Sequence, residues 1–286
     1  MIVSRQNRTL KDIRRLRRSK GEHALLEGSH LVAAALAAGI RLEMVLASPA
    51  FLDSPAGRDL AAELPVPPLA VEPRLLADLA DADSPRGLLA VAHLPRAGVE
   101  QLPALPGGVY LYLDGLQDPG NLGALARVAE AAGAAGMALS AGTVHPNHPR
   151  ALRASAGSLL RLPVATGVDA EELDRHLRPP EPSGLTGAPE SPAFRSGPPR
   201  WIALLPRGGV GLYDLPEAGL EGTIILALGA EGPGVSPDLA ARAGLRITIP
   251  VAPPVESLNA TVAAALTLFE LRRRRALPAD HPANRR

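Results

Sequence analysis

Residues 245–271 read LRITIPVAPPVESLNATVAAALTLFEL, and the patterns of a strand, a loop and a helix follow one another in this stretch. The β-branched run at 247–249 predicts a buried strand that ends at Pro250, because proline lacks the amide donor that a central strand uses. Ser257 stands where a helix N-cap is expected. The apolar residues that recur at helical spacing, and so predict a buried helix face, are Leu258, Val262, Leu266 and Phe269. A strand, loop and helix of this kind belong to an α/β domain.

Composition narrows the class of protein. The chain has 286 residues, enough for one large or two medium domains, and its 46% hydrophobic content is typical of a globular protein. The apolar runs are too short to span a membrane and no signal-peptide pattern is present, so we expect a cytoplasmic protein. The absence of cysteine excludes disulfides, a thiolate nucleophile and thiolate metal sites.

Basic charge is concentrated at the two ends of the chain. Residues 1–20 contain eight Lys or Arg and one Asp, and residues 272–286 contain six Arg and one Asp. The net charge of the whole chain is only +1, so the middle is acidic. Basic ends on an acidic body indicate either a polyanionic partner or solvated tails.

Two domains are expected from the order of predicted elements. Short alternating strands and helices over residues 1–95 predict a small α/β domain, and the Pro- and Gly-containing residues 96–108 predict a linker. Residues 109–275 contain strands that are apolar on both faces, which predicts a central parallel sheet. Within them, the proline-rich residues 178–200 predict a mobile surface insertion, and residues 276–286 follow as a basic tail.

Three loops follow three apolar strands: Asp118–Gly123, Gly229–Ser236 and Val251–Asn259. In an open parallel sheet, ligands bind at the edge formed by the carboxyl ends of the strands. The loops lack the phosphate-binding pattern Gly-x-x-x-x-Gly-Lys, and none places Gly-x-Gly-x-x-Gly directly after a strand. Nucleotide hydrolysis and NAD binding are therefore poorly supported. We expect a ligand held mainly by backbone groups and apolar walls.

The three loops resemble the signatures of the SpoU/TrmH family of knotted RNA ribose methyltransferases. The first is DPGNLGALAR (118–127), the second is LGAEGPGV (228–235), and the third is IPV (249–251) followed by SLN (257–259) and a helix. Residues 1–95 resemble, more weakly, the ribosomal-protein-like substrate-binding domain of such enzymes. The resemblance implies a deep trefoil knot, a homodimer, S-adenosylmethionine as methyl donor and the 2′-hydroxyl of an RNA ribose as acceptor.

The resemblance leaves the RNA substrate open. We expect ribosomal RNA, because the additional N-terminal domain is common in that branch of the family. Transfer RNA is the first alternative. A non-catalytic RNA-binding relative with the same fold is the second, although the signature residues are intact.

The resemblance also assigns site residues. Its catalytic candidates are Asn121, Arg127, Glu231, Ser257 and Asn259, and its cofactor-binding candidates are Leu228, Gly229, Ala230, Gly232, Ile249, Val251 and Leu258. Because an arginine is effectively always charged, we expect Arg127 to stabilise the forming alkoxide, or to guide phosphate and ribose, and not to act as a base. Asn121, Ser257 and Asn259 are alternatively helix caps, and Glu231 alternatively bonds loop amides.

A further set of residues is assigned to RNA binding: Arg5, Asn7, Lys11, Arg14, Arg15, Arg18 and Arg153. Most lie on a basic amphipathic helix predicted over residues 5–20, and they would neutralise phosphates without reading sequence. No aromatic residue is interleaved, so base stacking is not expected there. Arg153 is alternatively an exposed arginine without a task. His145 and His148 are separated by prolines without a further ligand nearby, so we expect no metal.

Overall fold

The structure is a computed structural model that describes residues 1–16, 21–80, 87–179, 197–216 and 220–275. Arg18, residues 180–196 of the predicted insertion and the predicted basic tail lie outside the described residues. Within the described ranges the elements follow in the order α1 (Arg8–Leu16), β1 (His23–Glu27), α2 (Ser29–Ala37), β2 (Leu42–Ala47), α3 (Pro49–Leu52), α4 (Pro55–Glu63), β3 (Leu69–Ala70), α5 (Pro73–Ala77), β4 (Leu88–His93), β5 (Val109–Asp114), α6 (Pro119–Ala132), β6 (Gly136–Leu139), α7 (Pro149–Ala154), α8 (Ser158–Arg161), β7 (Val164–Thr166), α9 (Ala170–Leu177), β8 (Arg200–Leu204), β9 (Val210–Gly211), β10 (Ile224–Gly229), α10 (Pro237–Arg242), β11 (Leu245–Thr248) and α11 (Ala260–Arg275).

The chain divides into two compact units. Unit 1 comprises Met1–Arg96 and His145–Arg161, and unit 2 comprises Ala97–Val144 and Leu162–Arg286. Unit 1 contains a four-stranded sheet in the order β1-β4-β2-β3, with antiparallel pairing of β4 to both neighbours and parallel pairing of β2 with β3. The apolar stripe predicted for the first helix packs into this unit, since Leu10 and Ile13 of α1 are fully buried in its core.

Unit 1 includes a segment that the sequence-based division placed in the second domain, His145–Arg161. The buried Arg96 side chain holds it, donating hydrogen bonds to the Leu159 carbonyl and to Asn147 Oδ1 (3.5 Å). Asn147 Nδ2 in turn donates to the Leu94 carbonyl at 3.0 Å. Burial removes the Arg96 guanidinium from water, and this desolvation lowers the pKa of Arg96 to about 10. The hydrogen bonds of the guanidinium offset the cost of its desolvation.

Unit 2 is built on a seven-stranded sheet in the order β7-β6-β5-β10-β8-β11-β9, and every pairing of its described strands is parallel. Gly229 at the end of β10 pairs with Asp114 at the end of β5, so these two strands end level with each other. The predicted parallel α/β sheet is thereby confirmed. The trefoil knot stays a prediction from the resemblance.

Helices α6 and α11 pack side by side and run in the same direction. Near their first turns, the Thr261 hydroxyl lies 3.5 Å from the Asn121 carbonyl, to which it donates. Near their last turns, Arg272 Nη1 donates to the Ala131 carbonyl at 2.9 Å. The helix that follows the third signature is therefore aligned with the helix that carries the first.

The predicted buried face of α11 is wrong. The exposed fractions are 47% for Val262, 39% for Leu266 and 48% for Phe269. Leu258 precedes the helix, and the residues that α11 buries are Ala264, Thr267, Leu268 and Leu271. Apolar residues occupy two faces of this helix, and helical spacing alone does not tell which face packs inside the chain.

The arginines at the end of α11 contact backbone carbonyl groups within unit 2. Arg274 donates to the Leu215 carbonyl at 2.6 Å, and Arg275 Nη2 donates to the carbonyls of Gly107 and Gly222 at 2.8 and 2.7 Å. Burial lowers the pKa of Arg275. The part of the basic C-terminal end that the structure describes therefore holds the last helix against the loops that precede β5 and β10 and the loop after β9.

Candidate active site

A cavity of ≈ 370 Å³ lies in unit 2 at the edge formed by the carboxyl ends of β8, β10 and β11. Its wall includes each residue predicted to bind the cofactor, namely Leu228, Gly229, Ala230, Gly232, Ile249, Val251 and Leu258. Three of the predicted catalytic residues, Glu231, Ser257 and Asn259, lie on the same wall. A volume of this size with mostly apolar walls and a few polar groups is typical of a small-molecule site.

Some residues of the cavity wall were not predicted from the sequence. The end of β8 and the loop after it contribute Leu204, Leu205 and Pro206, and the third loop also contributes Glu256. Residues 201–205 read WIALL, an apolar run typical of a buried strand, so a signal existed: the end of a fourth parallel strand must meet the same sheet edge. Only its place in the strand order, between β10 and β11, brings it to this cavity.

The Asn121 side chain connects the three signature loops. Its Nδ2 donates to Glu231 Oε1 at 2.8 Å, and its Oδ1 accepts from Asn259 Nδ2 at 3.1 Å. The second oxygen of Glu231 lies 3.5 Å from the Gln117 amide nitrogen, which donates to it. Gln117 was not singled out in the sequence. One amide side chain thus fixes the relative positions of an acidic residue and a second amide at the edge of the cavity.

Two of the helix-cap roles suggested by the sequence, those of Asn121 and Ser257, are wrong. Asp118 caps α6, because its Oδ1 accepts from the Asn121 amide at 2.7 Å, so the Asn121 side chain remains available to bridge the loops. Ser257 does not cap α11, which begins at Ala260. Asn259 takes that role, because its Oδ1 accepts from the Thr261 amide at 2.9 Å while its Nδ2 contacts Asn121.

Arg127 is the one predicted catalytic residue that neither lines the cavity nor joins its network. It lies on α6, six residues after Asn121, which is about 9 Å along the helix axis. Its side chain is exposed and makes no hydrogen bond or ion pair with the part of the chain that the structure describes. The site of a single chain is therefore assembled without this guanidinium group.

Several residues predicted to bind RNA have partners in unit 1. Asn7 Oδ1 accepts from the Thr9 amide at 2.9 Å and so caps α1. Arg5 forms an ion pair with Asp78 at 2.8 Å, and Arg14 Nη1 donates to the Arg5 carbonyl at 3.2 Å.

The other described candidates differ in their surroundings. Lys11 and Arg15 are exposed on α1 without a polar partner among the described residues. Arg153 forms an ion pair with Glu27 at 3.1 Å, and the Glu27 side chain is only 6% exposed. Arg153 therefore has a structural partner. The sequence does not reveal this ion pair, because the two residues are 126 positions apart.

The two histidines of the His-Pro-Asn-His-Pro stretch have local roles. His145 Nδ1 accepts from the Asn147 amide, and His148 Nδ1 accepts from the Arg150 amide at the start of α7. Among the described residues, no group of three or more His, Cys, Asp or Glu side chains is placed to hold a metal ion. None of the described helices is both long and apolar enough to cross a membrane.

Comparison with known proteins finds a matching family for each of two parts of the chain. Residues 108–269 match the SpoU rRNA Methylase family, and residues 6–90 match the MRM3-like substrate binding domain. A protein of Synechocystis sp. named as an uncharacterized tRNA/rRNA methyltransferase is 32% identical over 95% of this chain and 93% of its own length.

Two solved structures resemble nearly the whole chain. An AdoMet-bound rRNA methyltransferase from Sinorhizobium meliloti is 27% identical with a TM-score of 0.77, covering 95% of this chain and 97% of the other. A structure described as an RNA 2′-O ribose methyltransferase is 30% identical with a TM-score of 0.73, covering 96% and 99%. The chain therefore belongs to the SpoU rRNA Methylase family.

Proposed function

We propose that this protein methylates the 2′-hydroxyl of a ribose in RNA with S-adenosylmethionine as donor, and that ribosomal RNA is preferred over transfer RNA. The observation that carries the proposal is the cavity at the sheet edge, whose wall joins all seven cofactor candidates to the Glu231–Asn121–Asn259 network. The names of the relatives support RNA as substrate, and those of the family and of the Sinorhizobium meliloti structure support the rRNA preference.

The charge of the cavity fits the proposed cofactor. The ionisable side chains among its described lining residues are two carboxylates, Glu231 and Glu256, and no lysine or arginine lines it. A wall of this kind suits a cationic sulfonium and its adenosine better than a nucleotide triphosphate, which needs cations or a phosphate-binding loop. When bound, S-adenosylmethionine supplies an electrophilic methyl group, which passes to the ribose oxygen.

The residues of the chain position the reacting groups. The Asn121 bridge holds Glu231 and Asn259 at the cavity mouth, which is where an incoming ribose must reach the methyl group. Arg127 stabilises the negative charge that develops on the 2′-oxygen as it loses its proton, because a guanidinium retains its charge at neutral pH. The basic, exposed Lys11 and Arg15 of unit 1 support recruitment of the RNA backbone.

A homodimer is part of the proposal. Val262, Leu266 and Phe269 form an exposed apolar stripe on α11, and contiguous exposed apolar surface is a mark of protein interfaces. Because α11 packs against α6, a second copy seated on the stripe would adjoin the pair of helices on which Arg127 is exposed. We assign Arg127 to the site of the partner subunit. The cytoplasmic location expected from the sequence stays part of this proposal.

Mixing two inactive variants tests the assignment of Arg127. Arg127→Ala should nearly abolish methyl transfer with little change in S-adenosylmethionine affinity, and Gly229→Val should abolish cofactor binding. If Arg127 acts across the interface, an equal mixture recovers about a quarter of wild-type activity, because half of the dimers are mixed and each holds one complete site. If the mixture stays inactive although mixed dimers form, Arg127 acts within its own chain.

Calorimetry separates the enzyme from a non-catalytic RNA-binding relative. The enzyme binds S-adenosylmethionine in the cavity, and Gly229→Val removes that binding while unit 1 remains folded. A wild-type chain that binds RNA but not S-adenosylmethionine would contradict the proposed function.

A further inference from the structure

A second groove adjoins the cofactor cavity and carries the cation that the cavity lacks. The groove measures ≈ 490 Å³ and shares Pro206, Ile249, Val251 and Glu256 with the cavity wall. To these it adds Arg207, from the loop after β8. Glu256 therefore stands where the cavity and the groove adjoin, and Arg207 lines the groove beside it.

Arg207 and Glu256 form a loose ion pair where the groove adjoins the cavity. Arg207 Nη2 lies 3.6 Å from Glu256 Oε1, and the two side chains are 77% and 84% exposed. An ion pair this exposed contributes little to the stability of the fold, because water screens it and ordering two long side chains costs entropy. A ligand that offers each group a closer partner can replace the pair at small cost.

The other carboxylate of the cavity is already engaged. Glu231 accepts from the Asn121 side chain at 2.8 Å and from the Gln117 amide at 3.5 Å, so its oxygens serve the loop network. Glu256 has no comparable network among the described residues, where its side chain pairs with Arg207. Of the two carboxylates, Glu256 is the one placed to meet a further charge on the ligand.

We propose that Arg207 and Glu256 bind the amino-acid end of the cofactor, Arg207 its α-carboxylate and Glu256 its α-ammonium group. The inference rests on the cofactor site proposed above and deepens it. The adenosine would occupy the apolar cavity, where Leu258 and Ile249 form the wall, while the zwitterionic end extends into the groove. A guanidinium recognises a carboxylate through paired hydrogen bonds, which makes Arg207 selective for this end of the ligand.

Two ligands that differ only in this end provide the test. S-adenosylhomocysteine carries the amino acid, whereas 5′-methylthioadenosine has the same adenosine thioether without it, and both have an uncharged sulfur. By calorimetry, we expect Arg207→Ala to weaken S-adenosylhomocysteine binding about tenfold and Glu256→Gln several-fold, with 5′-methylthioadenosine unchanged within about twofold. The matched control is Arg178→Ala, which removes another exposed arginine paired with a carboxylate, Asp174, outside both cavities.

Reversing the pair distinguishes ligand recognition from a purely structural role. The double variant Arg207→Glu, Glu256→Arg can re-form the ion pair with opposite polarity, and we expect it to bind S-adenosylhomocysteine no better than Arg207→Ala does. Recovery of wild-type affinity in the double variant would overturn the inference, as would equal losses for both ligands in the single variants, or no loss for either.

The same titrations separate this inference from the proposed function. If the wild-type chain binds both ligands with equal affinity, the amino-acid end is not recognised and the inference fails, while the cofactor cavity stands. If neither ligand binds the wild-type chain, the proposed function fails and the inference fails with it.

Discussion

Gly229 is the position on the cavity wall where a single added methyl group should do most damage. A Cβ atom at this position would lie 1.8 Å from the Gly234 carbonyl carbon, 1.9 Å from its oxygen and 2.1 Å from the Val235 amide nitrogen. These are backbone atoms of the second signature loop, so no side-chain rotation relieves the contact. The loop has to move by about 1 Å or more to accept Gly229→Ala.

The expected cost follows from that displacement. Overpacking of this kind costs about 1–3 kcal/mol. Each 1.4 kcal/mol by which the substitution destabilises the cofactor-bound protein relative to the free protein lowers the affinity about tenfold. Because Gly229 and the displaced loop both line the cavity, we expect S-adenosylmethionine affinity to fall by tenfold or more. Isothermal titration calorimetry measures the affinity, and thermal unfolding reports how much of the cost is a loss of stability.

Gly133→Ala is the matched control. Gly133 ends α6 with a φ of +79°, and a Cβ there would meet no atom within 4 Å. The substitution should lower stability by about 1 kcal/mol, because alanine disfavours positive φ, and leave cofactor affinity unchanged. If Gly229→Ala keeps wild-type cofactor affinity, or if both variants lose affinity equally, close packing of the loop against Gly229 does not control cofactor binding.

Three further outcomes are expected. Asn121→Ala should reduce methyl transfer by about tenfold or more with a small change in melting temperature, because it releases Glu231 and Asn259 from their shared partner at an exposed site; a wild-type rate would show that the bridge is dispensable. Phe269→Asp should convert the dimer to monomer in light scattering and reduce activity, because it places a charge in the apolar stripe; an unchanged mass would remove α11 from the interface. Arg96→Met should destabilise the protein by about 1–3 kcal/mol in denaturant unfolding, because the buried Leu159 carbonyl loses its donor; unchanged stability would show that another group satisfies it.

The sequence predicted the sheet and the loops of the cavity well, for a physical reason. Residues on a parallel strand buried on both faces are almost all apolar, and the loops at its carboxyl end carry glycines where backbone approaches closely, as at Gly229. Both features are local. The seven cofactor candidates, which the resemblance to the family assigned within these loops and strand ends, all line the cavity.

What the sequence did not predict depends on long-range packing. The stripe of Val262, Leu266 and Phe269 has the spacing of a core-facing helix, and only the structure shows that it is exposed. The pairing of Arg153 with Glu27 joins residues far apart in the chain, so the sequence did not reveal it, and the resemblance to the family assigned Arg153 to RNA. The contribution of Pro206 to the cavity likewise depends on strand order, which periodicity does not reveal.

Nucleoside analysis of methylated RNA tests directly whether the protein methylates the 2′-hydroxyl of a ribose. The protein would be incubated with S-adenosylmethionine labelled in its methyl group and with unmodified ribosomal RNA, and the RNA would then be digested to nucleosides and separated. We expect the label to appear in a 2′-O-methylated nucleoside and to disappear with Arg127→Ala. Label on a base, or no transfer to RNA by a chain that binds the cofactor, would contradict this expectation.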